Sequence, residues 1–199
     1  SKSTAKLHKE KMREILETIK KSLFELGSAH ALESKLKGKT NIAPDDYMQI
    51  LKMKAASIEA DMRIGAIAGE GTNSEIEALT KYGRILGILG TLREEFIDVF
   101  EIEELSHRMH NECLPIPVLY ALQDKDSKES IQKLLAKKQV TSEDIDGLLD
   151  IVFEAKGVRK LKKMIRDFVE ENIRVISEIR SSESKMLLKK LALSTLEDL

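Results

Sequence analysis

The chain has 199 residues, of which 42% are hydrophobic and 34% charged, so it can form both a buried core and a solvated surface. Its 33 basic residues are balanced by 34 acidic ones, which leaves a formal charge of −1 and removes the positive surplus on which general nucleic-acid binding depends. Ten glycines, three prolines, no tryptophan and 4% aromatic residues favour long helices over short strands, so we predict an all-α protein with no nucleic-acid partner.

The N-terminal residues, SKSTAKLHKEK, are too polar for a secretory signal peptide. No segment of the sequence reaches the roughly 18 consecutive apolar residues that are needed to cross a bilayer. Cys113 is the single cysteine, so an internal disulfide is excluded, as is typical of a reducing compartment. We therefore expect a soluble, cytoplasmic protein without a membrane span.

The first two predicted helices follow from apolar residues at helical spacing. One helix is predicted over Thr4–Leu36, with a bend or interruption at Gly27. A second is predicted over Pro44–Ala68, because proline suits the first helical turn, where its missing N–H would have no partner. Lys54 lies on the apolar side of this second helix, so it needs a buried partner or a function.

The third predicted helix starts at a capping box formed by Thr72 and Glu75. Glycines at positions 83, 87 and 90 fall within its later turns, where each one weakens the helix but lets another backbone or a ligand approach closely. A separate helix is predicted to follow, with Leu92 and Phe96 among its apolar residues.

Three carboxylates crowd one turn of that next helix, in the segment LREEFIDVFEIEE. Glu94 and Asp98 are four residues apart, and Glu95 and Asp98 are three apart. Such close negative charges repel one another unless water or a cation such as Mg²⁺ neutralises them. By itself the segment favours a solvated, charge-rich surface over a metal site, because charged helices often contain such clusters.

The remaining segments complete the predicted bundle of seven or eight helices, a single domain over residues 1–199. Pro115 and Pro117 indicate a break and a new helix start, and Thr141 begins a helix that Gly157 ends. A long amphipathic helix and a short last helix follow. The segment HRMHNEC is a weak candidate for a transition-metal site, since no second pair of histidines or cysteines completes a tetrahedral set.

Several segments, in this order, resemble the trans-polyprenyl diphosphate synthases. They are DDYMQILKMKAA around Lys54, GAIAG at Gly65–Gly69, KYGRILGILGTLREEFIDVF and LPIPVLYAL. The order, the spacing and the helical context agree with that family, and the resemblance covers nearly the whole chain from about Leu23 onward.

The resemblance implies the fold, the reaction and the site. The implied fold is an isoprenoid-synthase-like helical bundle. The implied reaction joins isopentenyl diphosphate to an allylic diphosphate. Lys54 matches the lysine that contacts the substrate diphosphate in this family. Glu94, Glu95 and Asp98 fall on the second aspartate-rich motif, which holds Mg²⁺ against that diphosphate. Because family members pair, it also implies a homodimer or a heterodimer with a synthase subunit; we expect Ile85, Leu86 and Leu89 to form its apolar surface.

The departures from the family pattern are concentrated at the site. No DDxxD motif occurs among the 53 residues before Lys54, so the chain resembles the C-terminal two-thirds of a synthase and a bundle that is incomplete at the N-terminus. Two motif aspartates are glutamates, Ala55 stands in place of a threonine, and Gly90 and Thr91 stand in place of an aromatic–glutamine pair. The segment after Asp98 is also shorter than the usual flap.

Three functions remain open from the sequence. The first is a diverged prenyl synthase that is inactive as this chain alone. The second is a non-catalytic partner subunit or binding protein that keeps the synthase bundle. The third is an unrelated helical adapter, which would need several ordered segments to match by coincidence.

Overall fold

The computed structural model describes residues 2–39, 41–137 and 141–196, apart from the side chains of residues 2–7, 102, 110 and 178. These residues form helices and no strand, which confirms the all-α prediction. The helices are α1 (Lys2–Ser34), α2 (Pro44–Lys54), α3 (Ala56–Ala68), α4 (Asn73–Phe100), α5 (Ile102–Asn111), α6 (Ile116–Ala121), α7 (Lys125–Leu135), α8 (Ser142–Glu154), α9 (Lys156–Val175) and α10 (Ser182–Ser194), with a 3₁₀ turn at Ile176–Glu178. None of them is both long enough and apolar enough to span a bilayer.

Helix α4 lies at the centre of the bundle and contacts α2, α3, α5, α6, α8 and α9. The predicted capping box is present at its start, where the Thr72 hydroxyl accepts the Glu75 N–H at 3.3 Å and the Glu75 carboxylate accepts the Thr72 N–H at 3.0 Å. The helix then continues without interruption to Phe100, so the prediction of two helices here was wrong. Leu89, Leu92 and Phe96 are buried along its length and join its two halves through one core.

Glycines let α3 approach α4 closely, as predicted. A Cβ atom at Gly83 would lie 2.6 Å from the Ile58 carbonyl oxygen, and one at Gly87 would lie 2.8 Å from the Ala55 Cβ. A Cβ atom at Gly90 would meet nothing within 4 Å. The first two positions therefore require glycine for packing, whereas Gly90 borders open space.

Three predicted helix boundaries differ from the structure. Helix α1 runs through Gly27, because one glycine costs a long helix only about 1 kcal/mol. The helix predicted to reach Ala68 is interrupted at Ala55, whose ψ of −5° departs from the helical value, and Gly87 of α4 packs against this same residue. Gly157 lies inside α9, where it leaves room for the Tyr120 carbonyl oxygen, 2.6 Å from where a Cβ would be.

Two of the three residues of the predicted dimer surface are buried, whereas Leu86 is partly exposed and lines a cavity. Ile85 and Leu89 are 5% and 0% exposed, because α4 packs them into the core of its own bundle. The large apolar side chains that are exposed lie mainly on α1 and α10. They include Met12, Leu16, Ile19, Leu23 and Phe24 on α1 and Met186, Leu187, Leu191 and Leu193 on α10.

Candidate functional site

A cavity of about 800 Å³ lies among α1 to α5 and α10. Its wall contains all four residues that the sequence assigned to a site, together with charged residues that it did not assign. The charged lining residues are Glu33, Lys54, Arg93, Glu94, Glu95, Asp98, Arg108 and Glu112. Apolar side chains complete the wall, among them Leu26, Ile58, Leu86 and Leu191.

Lys54 lies at the last position of α2, and its charge has a partner. Its Nζ atom is 2.5 Å from Oε1 of Glu33, which α1 supplies. The two side chains are 23% and 21% exposed, so the pair is partly buried at the cavity wall. This pairing explains why a lysine can occupy the apolar side of its helix.

Tyr47 connects the Lys54–Glu33 pair to the carboxylates of α4. Its hydroxyl lies 3.1 Å from Glu33 Oε1 and 3.0 Å from Glu95 Oε1, and it accepts a hydrogen bond from Arg108 Nη2 at 2.9 Å. Burial, with Glu95 nearby, raises the pKa of Tyr47 above its ordinary value. The phenol therefore keeps its proton at neutral pH and donates it to one carboxylate at a time.

Glu95 points inward and is only 4% exposed. Its Oε2 atom accepts from Arg108 Nη2 at 3.1 Å and from the Ile116 N–H at 2.8 Å, and its Oε1 atom lies 3.0 Å from Arg108 Nη2 as an ion pair. Burial raises the pKa of Glu95, while Arg108, the Ile116 N–H and Tyr47 oppose that rise because they stabilise the ionised form. Glu95 thus links α4 to the start of α6.

Arg108 is the counter-ion of this group, and sequence reasoning did not assign it. The side chain is 4% exposed; Nη1 lies 2.5 Å from Asp98 Oδ2, and Nε donates to the Cys113 carbonyl at 2.9 Å. Burial alone would lower its pKa, but Glu95, Tyr47 and Asp98 raise it above the ordinary arginine value. No signal in the sequence indicated this partner, because a buried carboxylate requires a cation only once its burial is known, and the burial of Glu95 was not predicted.

The side chains of the other candidate ligands make no hydrogen bond to this group among the described contacts. Glu94 is exposed at the cavity wall. In the HRMHNEC segment, His107 Nε2 lies 3.5 Å from Glu112 Oε1, and the side chain of His110 lies outside the described residues. Burial raises the pKa of Cys113 to about 12, so this thiol is protonated and a poor ligand at neutral pH.

The carboxylates in this arrangement do not fit a divalent metal ion. Within the described residues, no group of three or more histidine, cysteine or acidic side chains is placed to hold one. Glu95 already accepts several hydrogen bonds, and Asp98 is paired with Arg108. The metal role of Glu94, Glu95 and Asp98 stays a prediction from the resemblance.

The polyprenyl synthetase family model matches residues 1–152 of this sequence. The chain belongs to the polyprenyl synthetase family. The chain is 22% identical over 180 residues to a curated relative, geranylgeranyl diphosphate synthase of Methanosarcina mazei. This match covers 89% of the chain and 55% of that protein. The chain is 31% identical over 96 residues to a short chain isoprenyl diphosphate synthase of Methanothermobacter thermautotrophicus, covering 48% and 30% of the two chains.

Solved structures show that this polyprenyl synthetase family member has the isoprenoid synthase fold. Geranylgeranyl pyrophosphate synthetase from Pyrococcus horikoshii superposes with a TM-score of 0.80 at 20% identity, covering 94% of this chain and 59% of that one. Geranylgeranyl pyrophosphate synthase from Corynebacterium glutamicum, complexed with isoprenyl diphosphate and magnesium, superposes with a TM-score of 0.79 at 19% sequence identity. This match covers 96% of our chain and 57% of that chain. The chain thus spans less than two-thirds of the length of these relatives.

Proposed function

We propose that this polyprenyl synthetase family member binds an isoprenyl diphosphate in the cavity and does not catalyse prenyl transfer as this chain alone. The observation that carries the proposal is the composition of the cavity wall, in which Lys54 and apolar side chains such as Leu86 and Leu191 line one space. An isoprenyl diphosphate has the matching parts, an anionic head and a hydrocarbon chain. A volume of about 800 Å³ is in the range of small-molecule sites.

Lys54 is the proposed contact for the diphosphate. Its ammonium group now neutralises Glu33 at the cavity wall, and both side chains are more than one-fifth exposed. A diphosphate carries more negative charge than one carboxylate, so it competes with Glu33 for the ammonium protons. Glu33 then retains the Tyr47 hydroxyl as a possible partner at 3.1 Å.

The proposed lack of turnover follows from the charge that prenyl transfer develops. The allylic C–O bond breaks, the diphosphate leaves with its electron pair, the isopentenyl double bond forms the new C–C bond, and a proton is then lost. The leaving diphosphate needs several preorganised cationic contacts. Of the cationic lining residues Lys54, Arg93 and Arg108, Lys54 is paired with Glu33 at a partly exposed position and Arg108 is committed to Glu95 and Asp98.

Calorimetric titration with geranyl diphosphate tests the binding proposal. Lys54→Ala should weaken binding by about tenfold or more, because a charge-assisted contact is lost. Lys52→Ala is the matched control, since Lys52 precedes Lys54 on the same helix and does not line the cavity. Equal affinities for the wild-type chain and Lys54→Ala would refute the assignment of Lys54.

The second candidate function is that of a non-catalytic partner subunit. The observation that favours it is the exposure of large apolar side chains on the two helices that border the cavity. Leu23 and Phe24 on α1 are 64% and 80% exposed, and Met186 and Leu187 on α10 are 52% and 58% exposed. Apolar faces of this kind are typical of surfaces that another polypeptide covers.

A further inference from the structure

Two of the three carboxylates in the α4 motif, Glu94, Glu95 and Asp98, face a guanidinium group at the distances of ion pairs. Arg108 lies between Glu95 and Asp98, with Nη2 3.0 Å from a Glu95 oxygen and Nη1 2.5 Å from an Asp98 oxygen. We propose that Arg108 is the resident cation of this motif, and that Glu95 and Asp98 bind no divalent metal ion in this chain. The inference does not depend on whether the cavity binds an isoprenyl diphosphate.

The hydrogen-bonding capacity of Glu95 supports the proposal. An ionised carboxylate has about four lone-pair sites. Oε1 faces Arg108 Nη2 and the Tyr47 hydroxyl, and Oε2 faces Arg108 Nη2 and the Ile116 N–H, all at 2.8–3.1 Å. Both oxygens of Glu95 therefore already have a hydrogen-bond donor, from Tyr47 at Oε1 and from Arg108 and the Ile116 N–H at Oε2, and a metal ion at either oxygen would compete with it.

The hydrogen bonds and ion pairs of Arg108 make its displacement by a metal ion unfavourable. Its guanidinium stays charged at every pH at which the protein folds, so it cannot become neutral to admit a second cation. Its Nε donates to the Cys113 carbonyl, its Nη1 to Asp98, and its Nη2 to Tyr47 and Glu95. With 4% of the residue exposed, a displaced Arg108 would lose these contacts and leave a buried charge without a partner.

The burial of Glu95 adds a further constraint. The Ile116 N–H belongs to the first residue of α6, where no intrahelical acceptor is available. Glu95 accepts this N–H at 2.8 Å, so rotating its carboxylate toward a metal ion in the cavity would leave a helix start unsatisfied. Glu95 and Arg108 therefore act as positioning residues for α4, α5 and α6.

Electron paramagnetic resonance of Mn²⁺, a substitute for Mg²⁺, tests the inference without measuring activity. We would titrate the wild-type chain, Glu95→Gln and Asp98→Asn, each with and without inorganic pyrophosphate. Loss of a direct ligand or its close partner lowers metal affinity by about tenfold or more. We expect smaller changes in both variants, and a fall of about tenfold or more in either one would overturn the proposal.

Two features keep the test decisive if Glu95→Gln fails to fold. Asp98 is 25% exposed at its side chain, so Asp98→Asn is the milder variant and is sufficient alone. The second measurement uses the wild-type chain: nuclear magnetic resonance of the Arg108 Nε–H, assigned by its loss in Arg108→Lys. We expect no shift of this signal on addition of millimolar Mg²⁺, and a saturable shift would contradict a resident arginine.

Discussion

At the residue scale, the Tyr47 hydroxyl joins two charge pairs that different helices supply. It lies within 3.1 Å of Glu33, Glu95 and Arg108, which in turn contact Lys54 and Asp98. Because Tyr47 is fully buried, water cannot replace the hydroxyl if it is removed. The stability of the site therefore depends on a residue that carries no net charge.

We expect Tyr47→Phe to lower the free energy of unfolding by about 1–3 kcal/mol, because it leaves buried charged groups with one partner fewer. Urea unfolding followed by circular dichroism measures the loss. Tyr120→Phe is the matched control, since its hydroxyl lies 3.3 Å from Asp45 in an exposed contact. If both variants lose the same stability, the Tyr47 hydroxyl has no special role in the network.

A second residue-scale prediction concerns acid stability. Hydrogen bonds from Arg180 and Thr72 lower the pKa of Glu75 from its ordinary value of 4.5 to about 2. A carboxyl group with a lowered folded-state pKa stabilises the protein above its unfolded-state pKa, and this contribution is lost as the pH falls from 4.5 toward 2. We expect the stability advantage of the wild-type chain over Glu75→Gln to shrink across this interval.

Thermal unfolding at a series of pH values measures this difference for Glu75→Gln. Glu77→Gln serves as the control, because it removes an exposed carboxylate from the same turn of α4. A difference between wild type and Glu75→Gln that stays constant down to pH 2 would show that the Arg180 contact does not act through ionisation.

Part of the candidate site could be predicted at the level of residues. Lys54, Glu94, Glu95 and Asp98 all line one cavity, and sequence spacing together with the family resemblance pointed to each of them. Arg108 was missed, because its contact with Glu95 joins two helices across a turn, and periodicity describes only one helix at a time. The burial of Glu95 was also missed, since a charge-rich segment favours a solvated face.

At the scale of elements, local signals placed several helix ends correctly. The capping boxes at Thr72 and Thr141 begin α4 and α8, and Pro115 precedes α6. No glycine or proline near Ala55 predicts the interruption there. The interruption coincides instead with the close packing of α4 against α2 and α3. A helix start that has its own capping residues can thus be predicted from the local sequence. A helix break that depends on packing against a neighbouring helix cannot be predicted without the tertiary structure.

The contact between α3 and α4 gives an element-scale prediction. Gly83→Ala should lower the free energy of unfolding by about 1–3 kcal/mol, because its new methyl group would overlap the Ile58 backbone. Gly90→Ala is the control on the same helix, where the methyl group meets nothing within 4 Å. There we expect a gain of up to about 1 kcal/mol from helix propensity.

Chemical unfolding of the two glycine variants under one set of conditions compares them directly. Equal effects at the two positions would mean that the close approach of α3 is not maintained in solution.

At the scale of the whole molecule, the exposed apolar faces of α1 and α10 are the surfaces through which we expect the chain to associate. We predict association with a second copy or with a synthase subunit through these faces, and sedimentation above the monomer mass at micromolar concentration if the partner is a second copy. Phe24→Lys should reduce this association, because it places a charge in an apolar face. Lys21→Glu is the control, because it also changes the charge of α1 but at a position that lines a cleft with Glu25 and Arg84. We expect it to leave the association unchanged.

Sedimentation velocity of the three chains distinguishes these cases. A monomeric wild-type chain would exclude the homodimer at that concentration and leave a different synthase subunit as the expected partner. Loss of association in Lys21→Glu but not in Phe24→Lys would place the interface elsewhere.

The last prediction concerns turnover by the whole chain. Incubation with labelled isopentenyl diphosphate, an allylic diphosphate and Mg²⁺ should yield no labelled prenyl product. The 199 residues contain no DDxxD motif before Lys54, and Glu95 and Asp98 of the α4 motif are paired with Arg108, so we expect the departing diphosphate to lack cationic contacts from two sides. A product that disappears in Asp98→Ala would show that the site is competent as it stands. Product that forms only after a synthase subunit is added would instead assign the missing contacts to that partner, in agreement with the proposal that Lys54 and the apolar wall of this chain bind a substrate without activating it.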